Sequence, residues 1–181
     1  MCFLQISSIF RSGFSNRSQL SYFFCLFFQM TELAVSSSPS DPLIHLWDIR
    51  TGVLAHSLKG NSSQKHSIAI INGHFLSPQY ILACQSEKSI ITIWSFQKQA
   101  SICKFVVQET LNCIACSHSG LFVVAGGVSG RCYLWELESG RLVRMWDAHY
   151  QKVTILKFSS DDERIVSGGF DSSINCYSLL E

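Results

Sequence analysis

Short runs of alternating apolar and polar residues recur along the whole chain. Strand side chains point to alternate faces, so a period of two marks a half-buried strand. That rule predicts strands at 31–36, 43–48 and 53–58, then at 67–72, 80–84, 90–94 and 101–106. A second series follows at 111–116, 121–125, 131–135, 142–146, 153–158, 164–167 and 174–178. Thr51-Gly52 and Ser139-Gly140 supply hairpin turns after two of these runs. No segment carries a convincing helical period.

The runs repeat. Trp47, Trp94, Trp135 and Tyr177 each close one of them, at spacings of 47, 41 and 42 residues. A period near ~40–45 residues with a Trp at the end of a strand is the mark of propeller blades. Six residues before each aromatic stand Asp41, Lys88, Ser129 and Asp171. Ten residues before stand the small residues Ser37, Cys84, Ala125 and Ser167. Between those columns lie turn formers, including Gly126-Gly127-Val128 and Gly168-Gly169-Phe170. The units run over about 31–58, 67–106, 111–146 and 153–181, the first short of one strand and the fourth ending after its third. Propellers close with ~4–8 blades. The expected fold is therefore all-β and a partial propeller, about three and a half blades of a larger one, truncated at its C-terminus. Open strand edges invite association, so residues 30–181 alone are expected to be oligomeric or poorly soluble.

Composition changes this picture in one place. The 181 residues carry 47% hydrophobic and 15% charged residues with a net charge of +1. That balance excludes bulk disorder and a strongly basic nucleic-acid footprint. Residues 1–29, however, hold seven of the thirteen Phe, with Arg11 and Arg17 and no acid. They read as an atypical, disordered extension ahead of the 30–181 fragment. The apolar run Tyr22–Phe28 is short and late for a secretion signal. Met30 offers an alternative start, and the working protein is expected to begin there.

Leu46-Trp47-Asp48, Leu134-Trp135-Glu136, and Ala148-His149 in the place of a Gly-His pair resemble the WD-repeat family over residues 31–181. Lys88 and Ser129 depart from that family's turn Asp, and Gly60-Asn61 from a Gly-His. The stretches 127–136, 146–150 and 168–171, behind Met30-Thr31-Glu32-Leu33, are similar to one subfamily. It is the WD-repeat subunit of the Ipi/Rix-type complex that matures the large ribosomal subunit. This resemblance implies a nuclear, non-catalytic scaffold for pre-rRNA processing. It also implies Rix-type and Tex/Ipi-type partner subunits and the midasin ATPase, with RNA contact only within the particle and no membrane. A generic WD-repeat adaptor, in ubiquitin ligation or signalling, is the alternative. The near-neutral charge favours protein partners.

His149, Ser167 and Asp171 are the residue types of a nucleophilic triad. No Gly-x-Ser-x-Gly elbow surrounds Ser167. The family resemblance instead implies a buried hydrogen-bond chain through His149, Ser167, Asp171 and Tyr177, with Tyr departing from the family's Trp. Cys113-Ile114-Ala115-Cys116 lacks the second pair of a zinc site, and three-residue spacing on a strand turns the two thiols to opposite faces. Neither metal nor cofactor is expected. The scattered cysteines suit a reducing compartment, nucleus or cytoplasm, rather than secretion.

Overall fold

The structure is a computed structural model and describes residues 26–27, 33–38, 41–48, 50–59, 66–70, 80–85, 89–95 and 100–179. Most of the 1–29 extension, Lys88 and Gly60-Asn61 lie outside these residues. Every described element is a strand, and every pairing is antiparallel.

The chain forms two compact units, residues 1–63 and 64–181. The first holds one sheet in sequence order: β1 (Leu26–Phe27), β2 (Leu33–Ser38), β3 (Asp41–Asp48) and β4 (Leu54–Lys59). This corrects the expectation of a first repeat short of one strand. Leu26 and Phe27 pair with Val35 and Ala34, so part of the apolar run in the leader serves as a sheet edge. Ile44, Leu46 and Leu58 are buried in this sheet. The acid after Trp47 closes the next turn, because Asp48 Oδ1 accepts the amides of Arg50 (2.8 Å) and Thr51 (3.1 Å). A carboxylate there satisfies turn donors that would otherwise need water.

The second unit holds three sheets. The first of them runs β5 (His66–Ile70), β6 (Tyr80–Gln85), β7 (Ile90–Ser95) and β8 (Ala100–Val106). The next runs β9 (Leu111–Cys116), β10 (Phe122–Gly127), β11 (Arg131–Glu136) and β12 (Leu142–Asp147). The last has three strands, β13 (Val153–Phe158), β14 (Arg164–Gly169) and β15 (Ile174–Ser178). Strand β9 lies against β5 and β6, and β13 against β9 and β10, so successive sheets stack through their leading strands.

Two apolar layers fill the gaps. Ile91, Ile93 and Phe105 pack on Leu111, Ile114, Val123 and Trp135 on one side of the middle sheet. On its other side Cys113, Val124, Cys132 and Leu134 pack on Val153, Leu156, Phe158 and Ile165. The inner strands of the middle sheet are thus buried on both faces, while its outer strand β12 is exposed. Strands β10 and β11 therefore read as continuous apolar runs, while β13 alternates.

Candidate functional site

The tightest polar cluster sits where the connector 148–152 meets the β14–β15 turn. Gly130 anchors the connector: its carbonyl accepts the amides of both Ala148 and His149 at 3.0 Å. Gly130 has φ +94°, and a Cβ there would lie 2.0 Å from the His149 carbonyl oxygen. Only glycine fits that backbone approach. The His149 ring then lies close against Gly169, where a Cβ would come within 2.4 Å of Nδ1.

Both ring nitrogens are engaged. Nδ1 is 3.1 Å from Asp171 Oδ1 and 2.9 Å from Ser173 Oγ, and Nε2 is 2.8 Å from Ser167 Oγ. An ionised carboxylate can only accept. Nδ1 therefore donates to the carboxylate, and Nε2 shares a hydrogen bond with the Ser167 hydroxyl. Asp171 also accepts from Ser173 Oγ at 2.7 Å, Ser173 N at 3.1 Å and Tyr150 N at 3.0 Å. These bonds, led by the Ser173 hydroxyl, hold its carboxyl well below the ordinary carboxylate range.

The bond pattern matches that of a hydrolytic triad, and burial decides its meaning. Ser167 is 0% exposed and the His149 side chain likewise, so no substrate carbonyl can reach the hydroxyl. A fully partnered buried polar chain fixes strand register instead. Tyr177 does not extend this chain to Ser167, which corrects the expectation. Its hydroxyl donates to the Ala148 carbonyl at 3.1 Å, alongside Asn175 Nδ2 at 2.7 Å. A phenol carries its donor at the ring tip, whereas an indole carries it on the ring's side. In the first sheet an indole makes the expected link: Trp47 Nε1 donates to Ser36 Oγ at 2.8 Å.

That contact also corrects the column of small residues. Trp47 pairs across the sheet with Ala34, and Tyr177 with Ile165. The residue two further on is Ser36 in the first sheet and Ser167 in the last. Counting back ten from the aromatic selects Ser37, because the span from the aromatic to its cross-strand partner is one residue longer in the β2–β3 hairpin than in the β14–β15 hairpin. Likewise Ile81 pairs with Trp94, which puts Ala83 rather than Cys84 in the column. Asp41 is displaced as well: it opens β3 opposite Ser38 rather than standing in a turn. Trp135 is buried and stacks on Tyr133 and Phe105 at centroid distances of 5.8 Å, a core role.

The middle sheet builds the same corner from other residues. Glu109, in the connector before β9, lies on Gly127 as His149 lies on Gly169. Its carboxylate accepts Ser129 N and Ser129 Oγ, both at 2.9 Å, and the Tyr133 hydroxyl. Burial, then this bond, pushes the Tyr133 hydroxyl up to about 12. In the last sheet the turn supplies the acceptor, Asp171, and the connector donates. In the middle sheet the connector supplies the acceptor, Glu109, and the turn donates through Ser129. The Ser in the Asp column was the visible sign that the partner had changed. A third acid, Asp162, joins two hairpins of neighbouring sheets by accepting His118 N and Ser119 N at 2.7 Å.

The remaining candidates separate. Cys113 packs in the layer against the last sheet, while Cys116 packs in the other layer. Burial raises the Cys116 thiol to about 12, so it stays protonated and makes a poor metal ligand or nucleophile. Among the described residues no group of three His, Cys, Asp or Glu could hold a metal. Arg131 pairs with Asp147 at 2.8 Å, Arg144 lies over the Trp146 ring, and Lys152 lies over Phe170.

Comparison with known proteins matches the WD domain, G-beta repeat, over residues 101–136 and 140–178. The chain is 36% identical over 146 residues to Protein ROOT INITIATION DEFECTIVE 3 of Arabidopsis thaliana, covering 81% of this chain and 33% of that protein. It is 30% identical over 151 residues to human WD repeat-containing protein 18, covering 82% and 34%. It is also 30% identical over 141 residues to the Schizosaccharomyces pombe pre-rRNA-processing protein crb3/ipi3, covering 78% and 30%. The chain spans about a third of the length of these curated relatives. Stacked antiparallel sheets, strand-end aromatics and two matched repeats lead to one conclusion: the chain belongs to the WD-repeat family.

Proposed function

We propose that the chain acts as a non-catalytic WD-repeat scaffold in pre-rRNA processing and large ribosomal subunit biogenesis, in the nucleus. The observation that carries this reading is its similarity to the fission-yeast pre-rRNA-processing protein crb3/ipi3, over 78% of this chain. The pre-rRNA-processing protein IPI3 of Mycosarcoma maydis adds 35% identity over 99 residues. The buried state of Ser167 and His149 supports a structural rather than hydrolytic use of that cluster. A set of stacked sheets suits holding several proteins together. The partners proposed are Rix-type and Tex/Ipi-type subunits and the midasin ATPase.

Depletion followed by pre-rRNA profiling and tagged co-purification tests the reading. The expected result is accumulation of large-subunit rRNA precursors, with ribosome-assembly factors on the tagged chain. A normal precursor profile, with cullin adaptors recovered instead, would overturn it in favour of a ubiquitin-ligase adaptor.

A further inference from the structure

The corner that secures His149 also carries two exposed aromatic side chains and a half-buried lysine. Tyr150 is 98% exposed and Phe170 is 62% exposed. Lys152 Nζ sits 4.5 Å from the centre of the Phe170 ring. Two rungs join the connector to the turn: Tyr150 N donates to Asp171 Oδ2 at 3.0 Å, and Phe170 N donates to the Lys152 carbonyl at 2.9 Å. Large aromatics on a backbone already fixed bind a partner with little further loss of freedom.

Charge decides what that partner is. Asp171 turns its oxygens inward to Ser173, His149 and the Tyr150 amide. Asp147 is occupied by Arg131. No carboxylate among the described residues forms an ion pair with Lys152. One exposed aromatic ring under a cation that forms no ion pair, with a second exposed aromatic two residues along the connector, complements an acidic, apolar segment. A nucleic-acid strand would call for a run of cations along its backbone, and the Arg131 and Arg144 groups nearby are engaged elsewhere.

We propose that Tyr150, Lys152 and Phe170 form a docking platform for a partner peptide carrying a carboxylate next to a bulky apolar side chain. The apolar group packs on Phe170 and Tyr150, and the carboxylate meets Lys152. This proposal goes beyond the ribosome-assembly reading and does not depend on it, because a peptide preference would be seen whichever complex the chain serves.

A random heptapeptide display library panned on the full chain tests it. The expected consensus places Asp or Glu beside Phe, Leu or Trp. A synthetic consensus peptide should lose at least about tenfold in affinity on Phe170→Ser or Tyr150→Ala. Lys152→Glu should shift selection towards Lys and Arg. Tyr150 and Phe170 are exposed and Lys152 is half-buried, and unchanged melting of the variants confirms that folding is kept. A consensus without acids, no consensus, or a consensus peptide indifferent to all three substitutions would overturn the proposal. So would a single-stranded uridine decamer that binds more tightly than the peptide and is lost on Tyr150→Ala.

Discussion

The middle and last sheets of the second unit solve one problem in opposite ways. Each must tie the connector before its leading strand to the turn between its second and third strands. The last sheet places the acid in the turn, where Asp171 accepts from His149 and the Tyr150 amide. The middle sheet places the acid in the connector, where Glu109 accepts from Ser129 twice and from Tyr133. The glycine beneath each latch, Gly169 or Gly127, leaves room for the connector side chain to lie on the backbone. The donor and acceptor roles are exchangeable, and the close approach is the shared requirement. A lost turn Asp is therefore not a lost latch.

The largest loss is expected at Gly130, which serves both sheets. It closes the turn beside Ser129 and accepts from the connector that carries His149. Gly130→Ala must add a side chain at positive φ against the His149 carbonyl and should cost at least about 3 kcal/mol in urea unfolding of the purified chain. Removing each latch separately should have unequal effects. His149→Ala leaves Ser167 and Asp171 without their shared partner inside the protein and should cost about 2–4 kcal/mol. Tyr133→Phe removes one of three donors to Glu109 and should cost about 1 kcal/mol in the same assay.

Acid distinguishes the latches further. The folded protein holds the Asp171 carboxyl below its ordinary value, so its contribution is fully present above the unfolded pKa of about 4 and is lost as pH falls through and below that point. The urea midpoint of the wild type should therefore drop below about pH 4. Asp171→Asn should lower the midpoint at neutral pH and flatten that drop. An equally steep acid limb in the variant would show that other carboxylates carry it.

Much of this architecture is legible in the chain because strand period and turn chemistry are local. The predicted strands at 111–116, 131–135, 153–158 and 174–178 coincide with β9, β11, β13 and β15 to within a residue. Strand β1 was hidden because two residues carry no period, and their neighbours Phe23, Phe24 and Cys25 make a continuous apolar run. Ser36 was missed for Ser37 because one extra residue in a hairpin shifts a fixed count but not the cross-strand register. Tyr177 was assigned to Ser167 by analogy with an indole, and the phenol's reach took its hydroxyl to Ala148 instead. Glu109 stood beyond reach of any local rule. Its meaning comes from Ser129, twenty residues away, across a sheet edge that only the folded chain brings together.

The two latches are the same device with donor and acceptor exchanged. A double-mutant cycle in the middle sheet, read by urea unfolding, tests this most directly by installing the pair used in the last sheet. Ser129→Asp alone sets an acid against Glu109, and Glu109→His alone leaves Ser129 facing a poorer acceptor, so each should destabilise. Together they restore an acid and an imidazole across Gly127, and the expected coupling is favourable by at least about 1 kcal/mol. Single effects that simply add, within about 0.5 kcal/mol, would contradict it.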